Sequence, residues 1–434
     1  MQKQLFPAGV EADLRFLTET IGVRLAGSAE ERRAAEFIAD RFALLGMDCR
    51  IESFPVQSRC VKKEELEIFS EGKWHPVPAS LFGAAPGTGG RQLEGELVVF
   101  APEVDFQRPD LGYLRDKAVL LLGTHIEKAQ DYARLLAANP RFLMMTDIRY
   151  PADQPMADGL FPAYVAHYGA IPTVNVPYQT LWKLCVAGAG RARLLVSGGL
   201  EAAESQNVIG EIRGTHPAEP VLYLGSHHDT QAGTVGADDN GSGVAAMLEA
   251  ARLLAGRQRR RTIRLIAFGT EEQLSVGSAA YVRRHRKELA ATGGFMFNFD
   301  ALGSFLGWNT VALHADQRAE RFLRRVAGEY DYLAKITTDL SPYGDHFPFV
   351  AAGVPALWAG RSNCASGRFF HHRVDDDMNC VSCEVIAQAA AVAADFTARA
   401  AEARNLPFAA RVSPELAKSA AVAWRDLFGG WKGF

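Results

Sequence analysis

The stretch PVLYLGSHHDTQAGTVGADDNGSGVAAMLEAARLLAG runs from Pro220 to Gly256 and decides the fold class that we predict. It begins with an apolar run, PVLYLG, which is typical of a strand covered on both faces. It ends with SGVAAMLEAARLLAG, a helical pattern with apolar residues on one face. Between them, Gly225–Gly243 hold two histidines and three aspartates in a glycine-rich loop. A buried strand, a polar loop and a helix in this order indicate an α/β protein.

The same alternation of strands and helices continues along the chain. TIRLIAFGT and GGFMFNFDAL are further apolar runs that predict buried strands, and helical patterns such as QRAERFLRRVAGEY lie between such runs. Near the N-terminus, Ser28 with Glu31 three residues later is the pattern of a capped helix start. We therefore predict a mostly parallel central sheet with helices on both faces.

A change in the sequence pattern indicates that a second domain is inserted into the first. A chain of 434 residues is too long to fold around a single hydrophobic core of ordinary size. Between about residues 61 and 199, short β-like runs alternate with proline- and glycine-rich turns, and few side chains there suit chemistry. We predict an inserted, smaller α/β domain at 61–199, between a first part of the main domain at 1–60 and a second part at 200–434.

The composition is typical of a soluble globular enzyme. Hydrophobic residues make up 48% of the chain, charged residues 22%, and the formal net charge is -3. This balance argues against a nucleic acid or an anionic membrane as a partner bound through bulk charge. We interpret the basic runs GRQRRRTIR and YVRRHRKELA as solvated surfaces. No apolar stretch reaches the roughly 18 residues that a membrane span needs.

The cysteines and the first residues bear on the cellular compartment. Six scattered cysteines do not resemble the dense disulfide framework of a small secreted domain, and we interpret them as reduced thiols, CVSC included. The start MQKQLFPAGVEADLRFLTETIG has no cationic head before an apolar core, so it is not expected to be a signal peptide. We expect a cytoplasmic protein, or a secreted one if a leader has been removed.

Three predicted strands end in residues of the kind that bind metal ions. VLYLGSH ends at His227, LIAFGTEE ends at Glu271 and Glu272, and FMFNFD ends at Asp300. In an open α/β sheet, sites form in the crevice beyond the carboxyl ends of the strands. We therefore expect these four side chains to converge.

Two loops supply further ligand-type residues. The loop after His227 adds Asp238 and Asp239, and the segment FFHHRVDDD adds His371 and His372. Each motif alone has an ordinary structural interpretation: a satisfied histidine, a helix start after the glutamate pair, or a turn at DDNGSG. Their joint order predicts a metal site, with enough ligands for two ions if one carboxylate bridges them. Mixed imidazole and carboxylate ligands favour zinc, with manganese or cobalt as alternatives.

This order of motifs resembles the co-catalytic zinc aminopeptidase family, which includes bacterial leucyl-type aminopeptidases, glutamate carboxypeptidase and the non-catalytic transferrin receptor. The matching stretches are GSHHDT, GADDNGSG, AFGTEEQLSVGSAAY, NFDALGS and YGDHFPFVAAGVPA. The resemblance implies the phosphorylase/hydrolase-like fold of zinc peptidases, and the inserted block resembles a protease-associated domain. A second metallopeptidase family with a similar ligand order lacks GADDNGSG and carries its insert later in the chain.

The resemblance implies a role for each motif residue. Glu271 would be the general base, and Asp229 would orient a histidine ligand. Metal binding would fall to four residues: His227, Asp238, Glu272 and Asp300. Asp238 would bridge the two ions, with His227 and Asp300 on the first ion and Glu272 on the second.

The last metal ligand departs from the family pattern. The family usually shows a histidine followed by Thr-Pro-x-Asp-Thr, whereas HHRVDDDMN has no Thr-Pro. Aligning the acid four residues later selects His372 with Asp376, and His371 is the alternative. Asp345 and His346 match a family loop near the site, where the resemblance implies a supporting or substrate-contacting role.

The function implied is two-metal hydrolysis of a terminal peptide bond, by an aminopeptidase acting on a peptide or small amide. A carboxypeptidase, or another amide hydrolase, is the alternative, because Arg361 and Arg368 could meet a substrate carboxylate. A non-catalytic, receptor-like binding protein on the same fold is a third hypothesis. Against it, the chain keeps the metal ligands and the general base Glu271, which a non-catalytic member would be expected to lose. A homo-oligomer is left open.

Overall fold

The computed structural model describes residues 5–364 and 369–433, which form two compact units. The main unit contains the chain up to Val56, Ala203–His371 and Asp375–Trp431. The insert unit contains Gln57–Ala202 together with His372–Val374. The boundaries predicted from the sequence for the inserted domain were 61 and 199.

The described residues form fourteen strands. In chain order they are β1 (Asp48–Ser70), β2 (Lys73–Val77), β3 (Ser80–Leu81), β4 (Leu93–Phe100), β5 (Ala118–Leu122), β6 (Phe142–Thr146), β7 (Thr173–Asn175), β8 (Arg191–Ile212), β9 (Val221–His227), β10 (Ile263–Phe268), β11 (Gly293–Phe299), β12 (Trp308–His314), β13 (Ala334–Thr337) and β14 (Ala356–Ser362). Strands β1 and β8 contain residues of both units, because the chain passes from one unit to the other within them.

The α-helices of the described residues number thirteen. They are α1 (Pro7–Arg15), α2 (Ala29–Leu44), α3 (Pro102–Asp105), α4 (Ala129–Ala137), α5 (Pro162–Tyr168), α6 (Tyr178–Val186), α7 (Gly243–Leu254), α8 (Val276–Arg284), α9 (Arg286–Thr292), α10 (Gln317–Gly328), α11 (His346–Ala351), α12 (Cys383–Glu402) and α13 (Pro414–Phe428). Helix α2 is capped as predicted, since Ser28 Oγ accepts a hydrogen bond from the Glu31 N–H at 3.0 Å. No described helix is long and apolar enough to cross a membrane.

The sheet of the main unit is mostly parallel. Its strand order is β13-β12-β14-β11-β9-β10-β8. Strand β9 pairs in parallel with β10 and β11, and β11 pairs in parallel with β14. Strand β8 pairs antiparallel with β10, and β12 pairs antiparallel with β14. This topology confirms the predicted fold class, because buried parallel strands joined by helices dominate the centre.

Helices cover both faces of this sheet. Leu222 and Leu224 of β9 belong to the same buried cluster as the apolar residues of α7. Tyr223, between them, contacts Phe349 of α11, with ring centroids 5.2 Å apart. Successive side chains of a strand point to opposite faces, so α7 and α11 lie on opposite sides of the sheet. Helix α13 packs on α11, where the rings of Phe428 and Phe347 are 5.2 Å apart.

The insert unit is a smaller α/β arrangement. Its strands β4, β5, β6 and β7 pair in parallel in that order, and β3 pairs antiparallel with β7. The runs VLL in β5 and LMM in β6 are fully buried, as expected for central parallel strands. Helices α4, α5 and α6 lie in the connections of this sheet. Its resemblance to a protease-associated domain stays a prediction.

The interpretation of GRQRRRTIR as a solvated surface was wrong for three of its arginines. Arg259, Arg261 and Arg264 are at most 7% exposed. Their guanidinium groups have buried acceptors: Arg259 donates to the Leu254 carbonyl, and Arg264 donates to Glu211. A run of arginines can be buried when carbonyls at helix ends and paired carboxylates accept its N–H groups.

Candidate metal centre

The three strands at the centre of the main sheet bring the predicted ligands together. Strand β9 ends at His227, β10 ends at Phe268 just before Glu271, and β11 ends at Phe299 just before Asp300. Because these neighbouring strands are parallel, their carboxyl ends meet at one edge of the sheet.

His227 is the centre of the resulting cluster and is 1% exposed. Its Nε2 lies 3.3 Å from Asp239 Oδ1, 3.7 Å from Glu271 Oε2 and 3.8 Å from Asp300 Oδ1. Its Nδ1 lies 3.4 Å from Asp229 Oδ1. Burial alone would lower the pKa of His227, but Glu271 and the other carboxylates raise that pKa well above its usual value. A cation near Nε2 would therefore be stabilised by the three carboxylates that surround this atom.

The donor atoms fit a zinc ion. His227, Asp239 and Asp300 are all buried, and each offers one ligand atom within 4.8 Å of the others. Buried carboxylates are costly unless a cation balances them, and the three residues here converge on one point. One imidazole with two carboxylates is a ligand set that zinc accepts, with a fourth position left for water or substrate.

The two oxygens of Asp239 face two different histidines. Oδ1 lies 3.3 Å from Nε2 of His227, and Oδ2 lies 2.8 Å from Nδ1 of His371. A carboxylate with one oxygen toward each of two imidazoles is placed to bridge a pair of ions. Among the described residues, Asp239 is thus the carboxylate that contacts both His227 and His371.

The structure brings Asp239 into the cluster in the place that the sequence assigned to Asp238. Asp238 Oδ1 instead accepts hydrogen bonds from the Gly303 N–H at 2.8 Å and from Ser242 Oγ at 3.3 Å. Two adjacent aspartates in DDNGSG are chemically identical, so residue type alone gives no signal for choosing between them. The turn of the loop decides which one points at His227.

The two candidate histidines for the last ligand are adjacent in the chain and make different hydrogen bonds. His371 meets Asp239 in the main unit. His372 is grouped with the insert unit, where its carbonyl accepts a hydrogen bond from the Ala157 N–H at 2.8 Å. Burial would raise the pKa of Asp158 there, but His125 and His372 lower it to about 2. The choice between His371 and His372 as the last ligand stays a prediction.

Asp229 fixes both a ligand and the segment that carries the predicted base. Its Oδ1 accepts a hydrogen bond from the Glu271 N–H at 2.9 Å, and its Oδ2 accepts one from the Glu272 N–H at 3.1 Å. Since Oδ1 also lies near His227 Nδ1, this carboxylate orients the imidazole as a partner behind a metal ligand would.

Glu271 and Glu272 follow β10 with different environments. Glu271 Oε1 accepts a hydrogen bond from Ser275 Oγ at 2.9 Å, which leaves Oε2 turned toward His227. Burial raises the pKa of Glu271 well above its usual range, and neighbouring acids add to this against the opposing effect of His227. Glu272 is half-buried, and its carbonyl accepts a hydrogen bond from Gln231. Its carboxyl is not part of the group formed by His227, Asp239 and Asp300.

Asp300 is oriented by a residue that sequence reasoning missed. Its Oδ2 accepts a hydrogen bond from Trp358 Nε1 at 2.8 Å, which leaves Oδ1 for the cluster. Trp358 lies on β14, the parallel neighbour of β11, and no motif marks it in the sequence.

The supporting residues lie at two depths. Asp345 and His346 are fully buried at the start of α11. Burial raises the pKa of Asp345 to about 7, against the opposing effect of His227. Arg361 donates to the Ser304 carbonyl and to Asn309 Oδ1, both at 2.7 Å, so its guanidinium is engaged within the fold. Arg368 lies outside the described residues.

Arg24 is a second residue that sequence reasoning missed. Its guanidinium is fully buried and donates to the carbonyls of His228 at 2.8 Å, Val235 at 2.9 Å and Gly22 at 2.8 Å. Burial lowers its pKa to about 10, although Asp229 and other nearby acids act in the opposite direction. Arg24 thus ties the N-terminal segment to both ends of the loop between His227 and Asp239.

Replacing Arg24 with Met should destabilise the main unit by about 3–5 kcal/mol, because several buried carbonyls lose their donor and nearby carboxylates lose a cation. The matched control is Arg15→Met, since Arg15 pairs with Glu11 and both side chains are 49% exposed. That pair is worth about 1 kcal/mol or less. Differential scanning calorimetry of the two variants checks this difference, and equal melting temperatures would contradict it.

Comparison with known proteins finds a matching family and several related proteins. Residues 207–397 match peptidase family M28. Aminopeptidase YwaD of Bacillus subtilis (strain 168) is 26% identical over 394 residues, which cover 86% of this chain and 80% of that protein. Carboxypeptidase Q of Homo sapiens is 24% identical over 399 residues, which cover 87% and 82%.

Among solved structures, the chain is similar to BSAP, a zinc aminopeptidase from Bacillus subtilis. The TM-score is 0.74 at 21% sequence identity, and the match covers 96% of this chain and 100% of that chain. At this identity the likeness establishes the fold. The matched region of the family contains every strand end that converges on His227.

Proposed function

We propose that the protein is a zinc aminopeptidase that removes residues from the free amino end of peptides, because residues 207–397 match peptidase family M28 and an aminopeptidase is among the relatives. The family match and the aminopeptidases among its relatives confirm the zinc metallopeptidase that the motif order implied. The finer points proposed here are the number of ions, the ligand of each ion and the end of the substrate that is recognised.

The placement of Asp239 between two histidines carries the proposal of a pair of ions. We assign His227 and Asp300 to the first ion, Glu272 and His371 to the second, and Asp239 to both. His372 is the alternative to His371. When bound, zinc acidifies water and polarises the scissile carbonyl.

Glu271 is the group of this chain that moves the proton. Its Oε2 is free of Ser275 and faces the cluster, so this oxygen can accept a proton from the attacking water. The same oxygen can then return the proton to the nitrogen of the leaving amine.

The state of Arg361 removes one of the two arginines that could support carboxypeptidase activity, and the other, Arg368, lies outside the described residues. A carboxypeptidase needs a cationic side chain for the terminal carboxylate of its substrate. The Arg361 guanidinium is committed to Ser304 and Asn309. Because a carboxypeptidase is among the relatives, the experiment must distinguish carboxypeptidase activity from aminopeptidase activity.

The test combines metal analysis with a matched pair of substrates. We expect two zinc ions per chain by inductively coupled plasma mass spectrometry, and turnover of aminoacyl p-nitroanilides and free dipeptides. Chelation with 1,10-phenanthroline should abolish this turnover, and added zinc should restore it. N-acetylated dipeptides with the same side chains are the control.

Each alternative outcome contradicts a stated part of the proposal. Turnover of the N-acetylated dipeptides alone would replace the aminopeptidase by a carboxypeptidase. Bound zinc without turnover of any substrate would favour a receptor-like binding protein. A single zinc ion at saturation would remove the bridging role of Asp239.

A further inference from the structure

The carboxyl group of Glu31 is fully buried, 239 residues away in sequence from the active-site backbone that it contacts. It lies in the first turn of α2, within the main unit. Its Oε1 accepts hydrogen bonds from Ser205 Oγ at 2.7 Å and from the Thr270 N–H at 3.2 Å. Its Oε2 accepts one from the Gly27 N–H at 2.7 Å. Three donors therefore hold this carboxyl against the end of β10.

Two carboxylates together bind three consecutive backbone amides. Glu31 accepts from the N–H of Thr270, and Asp229 accepts from the N–H groups of Glu271 and Glu272. These amides belong to the segment that carries the base and a proposed zinc ligand. Since Asp229 is already tied to His227, Glu31 is the acceptor that connects this segment to the N-terminal helix.

Thr270 adopts a backbone conformation that is unfavourable for its side chain. Its φ is +56°, in the left-handed region, which a β-branched residue rarely enters. Such strain persists only where the surrounding structure holds it. The hydrogen bond from Glu31 acts on the N–H of this strained residue, and the turn at Thr270 directs Glu271 toward His227.

The packing around the carboxyl is close. A Cβ atom at Gly269 would overlap Ser205 Oγ and Glu31 Oε1. Strand β10 can therefore approach the Glu31 carboxyl only because residue 269 is glycine, and little room is left for the segment to shift while Glu31 is in place.

We propose that Glu31 is a positioning residue, which holds Thr270 in its strained conformation and thereby aims Glu271 and Glu272 at the zinc site. The effect on catalysis rests on the proposed function, whereas the effect on zinc binding is independent of it. A glutamine at this position has one acceptor oxygen instead of two, so either Gly27 or Thr270 must lose its partner.

The experiment compares Glu31→Gln with Ser205→Ala in the full-length protein. Ser205→Ala removes a hydrogen bond from the same oxygen but leaves the contact with Thr270, so it controls for the loss of a buried bond. For Glu31→Gln we expect kcat to fall about 10–100-fold with little change in KM, and zinc affinity in chelator competition to fall by a similar factor. Ser205→Ala should keep both quantities within about threefold of wild type.

A rescue variant separates positioning from general support of the fold. Glycine adopts a positive φ without strain, so Thr270→Gly should lessen the need for the Glu31 contact. In the Thr270→Gly background, Glu31→Gln should therefore cost only a few-fold in kcat and in zinc affinity.

An equal loss from Glu31→Gln in both backgrounds, or equal losses from Glu31→Gln and Ser205→Ala, would overturn the proposal. If wild type binds zinc but hydrolyses nothing, the chelator competition still decides: selective loss of zinc affinity in Glu31→Gln supports positioning, and unchanged affinity overturns it.

Discussion

Glu271→Gln is expected to lower kcat by about 10²–10⁴-fold while the zinc content stays unchanged. The amide has the shape of the carboxyl group but cannot accept a proton at neutral pH. Ser275 Oγ can still donate to the side-chain oxygen, so the segment after β10 keeps its conformation. Steady-state kinetics with an aminoacyl p-nitroanilide, together with metal analysis of the same sample, measures both quantities.

Ser275→Ala is the matched control for this variant. It removes the hydroxyl that holds Glu271 Oε1 but leaves the carboxyl itself, so we expect a smaller loss, about tenfold or less. A Glu271→Gln enzyme that keeps more than about a tenth of wild-type kcat would exclude Glu271 as the base. Loss of zinc from that variant would instead identify Glu271 as a ligand.

Asp239→Asn is expected to release zinc and with it the activity. The carboxylate stands between His227 and His371, and an amide in its place offers one neutral oxygen instead of two charged ones. We expect zinc affinity to fall by more than the ~10–100-fold that is typical of a partner behind a ligand. Isothermal titration of the metal-free protein, or chelator competition, measures this change.

Asp238→Asn is the control that separates the adjacent aspartates. Asparagine keeps an oxygen that can accept from the Gly303 N–H, so this variant should bind both ions and retain activity within a few-fold. The opposite pattern, with zinc lost from Asp238→Asn and kept in Asp239→Asn, would restore the assignment that the family motif suggested. Equal loss from both variants would mean that the whole loop, rather than one carboxylate, sets the affinity.

The parallel sheet and the convergence of His227, Glu271 and Asp300 at its edge were predictable because they follow from local pattern. His227, Glu271 and Asp300 each follow an apolar run, and parallel strands necessarily bring their carboxyl ends to one edge. Composition and texture also indicated an inserted domain. These inferences need only the order of short segments along the chain, which the sequence states directly.

The finer assignments depend on geometry that residue types do not encode. Asp238 and Asp239 differ only in which way the loop turns, and His371 and His372 pose the same difficulty. Glu31 was visible as a residue of a helix start, but its carboxyl accepts from Gly27, Ser205 and Thr270. Contacts over such sequence distances are set by tertiary packing, so no local motif could reveal them.

Arg24 and Glu31 also bear on how this chain is made. They precede their partners by 204 residues, between Arg24 and His228, and by 239 residues, between Glu31 and Thr270. At ribosomal speeds of about 5–20 residues per second, roughly 10–50 s pass before those partners are synthesised. During that interval most of Gln57–Ala202 emerges. Helix α2 can already pack Phe37 on Phe16, but its buried residues still lack their partners in α7 and in the main sheet. The nascent chain therefore exposes part of its apolar core for this interval, and such exposed surface is prone to aggregation.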